Sequence, residues 1–206
     1  MQKLVIASNN PGKLREMRHL LGPLGIEVLP QSALNVAEAD EPYATFLENA
    51  LAKARHASQC TGLPALADDS GICVNALNGK PGILSARYAG EPKSDERNNQ
   101  KLVDIMKDQV DCSAYYYCAL VLMRHAEDPQ PIIADASWHG EILLSPRGAG
   151  GFGYDPYFFL PDLDKTAAEL PMEQKNRISH RGKALRQLVE KVGKEWSFRE
   201  PGSNAG

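Results

Sequence analysis

Residues 4–29, LVIASNNPGKLREMRHLLGPLGIEVL, decide the fold class. Leu4 to Ala7 is a short apolar run that breaks into the polar turn Ser8-Asn9-Asn10-Pro11-Gly12. Leu14, Met17, Leu20 and Leu21 then recur at three-to-four spacing, the period of an amphipathic helix. Gly22-Pro23 is a stop signal, and Ile26 to Leu29 is a second short apolar run. Strand, helix, strand in that order predicts an α/β domain with parallel pairing.

The pattern continues outward. Thr45-Phe-Leu-Glu48 is a capping box ahead of Phe46, Leu47, Ala50, Leu51, Ala54 and Ala57, with Gly62 as the C-terminal stop. Pro64 to Ala67 predicts a strand that ends at Asp68-Asp69-Ser70-Gly71, after which Ile72 to Val74 is extended again. Ser94 caps a helix running to Met106, and the β-rich runs 114–123 and 131–138 predict a hairpin. A glycine-rich break at 148–153 precedes a final amphipathic helix within 172–192. The stretch 1–196 is long enough for one generous domain or two small lobes, and 197–206 reads as a frayed tail.

With 206 residues there is room for a sizeable core, and 43% apolar and 24% charged residues are ordinary for a globular chain. A net charge of −3 argues against a duplex nucleic acid partner, which needs a clustered basic surface. Cys60, Cys73, Cys112 and Cys118 lack zinc-ligand spacing and read as buried free thiols. The N-terminus turns polar too soon for a signal peptide, and no apolar run approaches the roughly 20 residues of a membrane span. These features predict a soluble cytoplasmic protein.

Four constellations carry candidate chemistry. Ser8 to Lys13 places backbone N–H groups and a lysine at a helix N-terminus, a setting that favours bound anions; read alone, it is also an ordinary Asn/Pro/Gly turn. Asp68 and Asp69 at a strand end, with Glu38, Asp40 and Glu41 in the loop before the capped helix, form the acid set that Mg²⁺ uses when it takes few protein ligands. The competing readings are an Asx turn and acids that complement a helix dipole. Gly150-Gly-Phe-Gly-Tyr-Asp-Pro156 lets backbone approach a ligand and leaves the Phe152 ring free to stack, or is a turn whose aromatics simply pack. Lys175 with Ser179-His180-Arg181-Gly182 offers donors to a base or phosphate, residues not expected in a core, or else a solvated basic helix face.

Six segments in this order resemble the inosine/xanthosine triphosphate pyrophosphatase family. They are Ser8-x-Asn10-x-x-Lys13, Thr45-Phe-x-Glu-Asn-Ala, Ala67-Asp-Asp-Ser-Gly71, Pro81-Gly-x-x-Ser-Ala-Arg-Tyr88, Gly151-Phe-Gly-Tyr-Asp-Pro156 and Ser179-His-Arg-Gly182. The chain departs from many relatives in having Asp40-Glu41-Pro42 where they have Glu-Glu or Glu-Thr-Gly, which leaves open which acid binds metal. The resemblance implies an α/β fold with a long central mixed sheet flanked by helices, two lobes around a substrate cleft, and a homodimer. It implies Mg²⁺-dependent hydrolysis of XTP, ITP and dITP to monophosphate and pyrophosphate. By the same resemblance Ser8, Asn9, Asn10, Pro11, Gly12 and Lys13 hold the phosphates. Asp69 is then general base and metal ligand, with Asp40 or Glu41 as the second acid. Ser70 assists at the substrate, while Phe152, Gly153, Tyr154, Asp155, Lys175, His180 and Arg181 cradle the base. Two rival readings are a pyrophosphatase for other modified nucleotides and a nucleotide sensor without turnover.

Overall fold

A computed structural model describes residues 2–195, so the expected tail at 197–206 lies outside the described residues. Strand β1 (Gln2–Ile6) leads into helix α1 (Pro11–Leu21), and β2 (Ile26–Pro30) returns parallel to β1. The α1 N-terminus is capped by Asn10, whose side-chain oxygen accepts from the N–H groups of Gly12 and Lys13 at 2.9 and 3.1 Å. Helix α2 (Phe46–Thr61) starts at Thr45, whose hydroxyl oxygen accepts from Glu48 N–H at 3.2 Å, and stops at Gly62 with φ +67°. These are the cap and stop that the sequence marks.

Strand β3 (Ala65–Val74) departs from expectation. It does not end at the aspartates but runs through Asp68, Asp69, Ser70 and Gly71 without a turn. Helix α3 (Asp95–Met106) follows, then the antiparallel pair β4 (Ser113–Met123) and β5 (Ile132–Ile142). The second hairpin strand therefore extends four residues past the expected 138. Short strands β6 (Phe158–Leu160) and β7 (Lys165–Thr166) complete a seven-stranded mixed sheet in the order β2-β1-β3-β4-β5-β6-β7.

The expected final helix is two helices. Ser179, at φ −69° and ψ 162°, separates α4 (Met172–Ile178) from α5 (His180–Glu195). A β-carbon on Gly182 would collide with the carbonyl of Asn176, so the two helices meet at a distance only glycine permits. The break sets His180 and Arg181 at the start of α5.

Alternation along β3 and β4 sends successive side chains to opposite faces. One face packs Leu66, Leu120 and Leu122 against Met17 of α1 and Leu185 and Leu188 of α5. The other packs Ala65, Ala67 and Val121 against Ala50, Ala54 and Ala57 of α2. Beyond Gly71 the same long strands enter a second lobe, where Ile72, Tyr116 and Trp138 pack with Leu102, Met106 and Phe158. The cleft lies where the strands pass from one lobe to the other. No helix among the described residues is long and apolar enough to cross a membrane. The four cysteines are unpaired thiols, with Cys73 and Cys118 buried as expected, Cys60 exposed and Cys112 half-buried.

Candidate active site

Asp68 and Asp69 are both buried, at 1% and 7% exposure, and each faces its own set of cations. Asp68 points toward α1 and α5. It forms ion pairs with Lys13 and with Arg181 Nε at 2.6 Å, and accepts from Ser70 Oγ at 2.9 Å and Cys118 Sγ at 3.2 Å. Burial alone would push its carboxyl pKa up, but Arg181 and Lys13 outweigh that and hold it well below the usual range. Arg181 spends its other arms on Glu16 and on Ser70 Oγ at 2.9 Å. Asp68 is therefore a structural anchor that holds Lys13 of α1 to the start of α5.

Asp69 points the opposite way, toward α2. Lys53 Nζ lies 2.9 Å from its Oδ1 and 2.6 Å from Glu41 Oε1. Arg87 Nη1 reaches the other Glu41 oxygen at 3.3 Å. Burial raises the Asp69 pKa, the neighbouring Glu41 carboxylate adds to the rise, and Lys53 and Lys13 offset it only in part. Its Oδ2 is buried and has no hydrogen-bond partner among the described residues. Such an atom costs free energy unless something occupies it.

Two cavities meet here. The larger, about 490 Å³, is lined by Ser8, Asn9, Asn10, Lys13, Asp40, Glu41, Asp69 and Ser70 among the expected residues. Its wall carries six acids and four Lys/Arg side chains. A polyphosphate by itself would meet net negative charge, so the wall is matched to an anion that arrives with cations. The smaller, about 110 Å³, is lined by Phe152, Gly153, Tyr154, Asp155, Lys175, His180 and Arg181. Asn10, Lys13 and Ser70 line both cavities and form the wall between them.

Pro11 and Gly12 border neither cavity. Pro11 opens α1, and Gly12 lies against Phe152, where a β-carbon would be 2.6 Å from the ring. Asp155 accepts from Phe152 N–H at 2.8 Å and from Lys175 Nζ at 2.6 Å, so it organises the glycine-rich turn. Tyr154 turns away, its hydroxyl donating to the Ser85 carbonyl at 2.8 Å. The Phe152 ring is flanked by Lys175 Nζ at 4.8 Å and Arg181 Cζ at 5.9 Å from its centroid.

His180 and Arg181 correct the expectation that such residues stay out of a core, since they are 5% and 2% exposed. Arg181 is tolerated there by Asp68 and Glu16. Burial, with Arg181 beside it, drives the His180 pKa well below its ordinary value, so the imidazole is neutral. Its Nδ1 is buried without a hydrogen-bond partner among the described residues.

Among the described residues no three His, Cys, Asp or Glu side chains are grouped to hold an ion; Asp40 is exposed and lines the larger cavity with Glu41 and Asp69. Glu41 and Asp69 converge on Lys53 Nζ, and the buried Asp69 Oδ2, without a hydrogen-bond partner among the described residues, is the hard oxygen left to a cation.

Two functional side chains were missed. Lys53 lies three residues after Ala50 and one before Ala54, a charge at the border of the small-residue face of α2. Glu16 shares the α1 face of Lys13, Met17 and Leu20, and binds both Arg181 and, at 3.4 Å, Lys175. In each case a charge placed at apolar helical spacing was the available signal.

The family model described as the Ham1 family matches residues 4–191. The chain belongs to the Ham1 family. It is 70% identical over 190 residues to a dITP/XTP pyrophosphatase of Nitrosomonas europaea, an alignment covering 92% of this chain and 94% of that protein. Among solved structures, a HAM1 protein from Coxiella burnetii superposes with a TM-score of 0.87 at 47% identity, covering 94% of this chain and all of that one. The Staphylococcus aureus Ham1 protein gives 0.84 at 39% identity over 94% of this chain and 100% of its own. The six motifs thus sit in a Ham1 fold of the expected mixed α/β kind.

Proposed function

We propose that this Ham1 chain hydrolyses the non-canonical purine triphosphates XTP, ITP and dITP to the monophosphate and pyrophosphate. In this reading it uses Mg²⁺, acts in the cytoplasm as a homodimer, and removes these nucleotides from the precursor pool. The observation that carries the reading is the unpartnered Asp69 carboxylate oxygen, in a charged cavity that shares a wall with an aromatic pocket. The dITP/XTP pyrophosphatase name of the Nitrosomonas europaea relative supports the substrate class.

The triphosphate lies in the larger cavity, with Lys13 and Lys53 offsetting its charge. Asp69 holds the attacking water and takes its proton as the oxygen closes on the α-phosphorus, a step that a raised carboxyl pKa favours. Glu41 and Asp69 would hold Mg²⁺, and its charge would offset that of the phosphates and of the pyrophosphate leaving group. Exposed Asp40 is the weaker candidate of the two acids left open by the sequence.

The base enters the smaller pocket and stacks on Phe152. Arg181 is committed to Asp68, Glu16 and Ser70, so readout of the purine 6-position falls to neutral His180. With Nδ1–H as donor it meets an acceptor in the 6-keto oxygen of hypoxanthine or xanthine, but another donor in the 6-amino group of adenine. A buried donor left unpaired rejects the wrong base by roughly 1–3 kcal/mol.

The test is pyrophosphate release with Mg²⁺ across ITP, XTP, ATP, GTP and a pyrimidine triphosphate. Strong turnover of ITP and XTP with little of ATP is the result the 6-position readout requires; little turnover of GTP, which shares the 6-keto oxygen, would add a discrimination at the 2-amino group. Preference for a modified pyrimidine would refute the substrate class, and tight ITP binding without turnover would make the protein a sensor.

A further inference from the structure

Of the three consecutive tyrosines on β4, alternation turns only the middle one toward the smaller pocket. Tyr117 packs on Phe46 of α2 and donates to Asp135, on the other face. Tyr116 is 8% exposed and stands opposite Ile72 of β3 and Trp138 of β5. Its ring stacks on the imidazole of His180 with centroids 4.7 Å apart and planes within 7°. Its hydroxyl donates to Asp155 Oδ1 at 3.3 Å, while the other oxygen of Asp155 holds the Phe152 N–H. One side chain therefore touches both walls of the pocket.

We propose that Tyr116 is the positioning residue of base selection, locking the ring plane of His180 by stacking and the turn that carries Phe152 through Asp155. The proposal rests on the reading of this pocket as a purine site. The physical need is plain on both sides. The terminal torsion of histidine is broad, so nothing intrinsic to His180 chooses the plane in which its nitrogen points. The Phe152 turn is flanked by Gly151 and Gly153 at φ +73° and +63°; Asp95 and Asn99 of α3 hold the N–H and carbonyl of Gly153, and Asp155 holds the Phe152 N–H itself. Tyr116 is itself fixed by Phe158 at 4.6 Å and Trp138 at 6.2 Å between centroids. Two residues along the same face, Cys118 touches Asp68, so one strand supports both the base pocket and the Lys13 anchor.

Tyr116→Leu removes both contacts and Tyr116→Phe removes only the hydroxyl. The leucine variant should raise KM for ITP about tenfold with a smaller fall in kcat, and cut the ITP/ATP ratio of kcat/KM at least tenfold. The phenylalanine variant should restore that ratio to within about threefold of wild type while KM stays a few-fold high. In ¹⁵N-histidine spectra the His180 imidazole signal, assigned with His180→Gln, should move in Tyr116→Leu and hold in Tyr116→Phe. An unchanged ITP/ATP ratio in a folded leucine variant, or an unmoved His180 signal, would overturn the proposal. Should the leucine variant fail to fold, Tyr116→Met carries the same test. A wild-type protein inert toward ITP would refute the enzymatic reading, and the imidazole spectra would still decide the role of Tyr116.

Discussion

Replacing Asp68 by asparagine keeps the shape of the side chain and removes its charge from beneath Lys13 and Arg181. Breaking a buried ion pair by deleting one partner costs about 3–5 kcal/mol, because the surviving charge is left uncompensated. Two features place this case at the lower end, about 3 kcal/mol. Arg181 keeps Glu16, and the Lys13 side chain, 15% exposed, can turn toward water. With a urea slope of about 3 kcal/mol/M for a chain of this size, the unfolding midpoint should fall by about 1 M at neutral pH. The pH dependence gives a second check. Burial opposes ionisation of Asp68, but Arg181 and Lys13 hold its folded pKa well below the ordinary value of an aspartate. A carboxylate depressed in this way stabilises fully above its unfolded pKa and loses that stabilisation as pH falls through its folded one. The gap between wild type and Asp68→Asn should therefore be constant from about pH 8 to pH 5 and narrow only below about pH 4. A midpoint shift below about 0.3 M, or a gap that closes above pH 5, would refute the assignment of Asp68 as an ionised anchor.

Asp69→Asn should lower kcat for ITP by about 10²–10⁴-fold with binding retained, since a positioned base contributes that much; a loss below tenfold would remove Asp69 from the role. Lys53→Met takes away the cation that lowers the Asp69 pKa, so the acid limb of the kcat/KM profile should move to higher pH, and movement to lower pH would contradict the pairing. Phe152→Ala should raise KM by roughly 5- to 150-fold, the span of about 1–3 kcal/mol per stacked base. Gly12→Ala, whose β-carbon would meet the Phe152 ring at 2.6 Å, should raise KM in the same direction; in the double variant the effects should fail to add, and additivity would mean the contact carries no coupling.

The parts of the fold set by local chemistry were legible from the residues. The 4–29 unit, the Thr45 cap, the Gly62 stop and the β4–β5 hairpin are each written in periodicity or turn chemistry that tertiary packing did not override. Strand β3 was read wrongly because Asp-Asp-Ser-Gly is the composition of a turn. It survives as strand because Lys13, Arg181 and Lys53 reach it from helices up to 113 residues away, which no local pattern displays. The break at Ser179 was hidden by an apolar spacing that continues in step across it, though Gly182 inside the pattern was a visible sign. The site residues were legible as a set but not in their division of labour. Asp155 supports Phe152, Tyr154 bonds to Ser85, and Arg181 is consumed by Asp68 and Glu16.

Because Asp68 and Asp69 are neighbours on one strand, the sheet itself acts as a ruler between the two chambers. Deleting one residue between Leu63 and Asp68 would exchange their sides, sending Asp68 toward α2 and Asp69 toward α5. Deleting two would restore the sides but displace both by roughly 7 Å along the strand. Length variation is therefore excluded from this stretch in a way that substitution is not, and changes in chain length must fall in the loops around it.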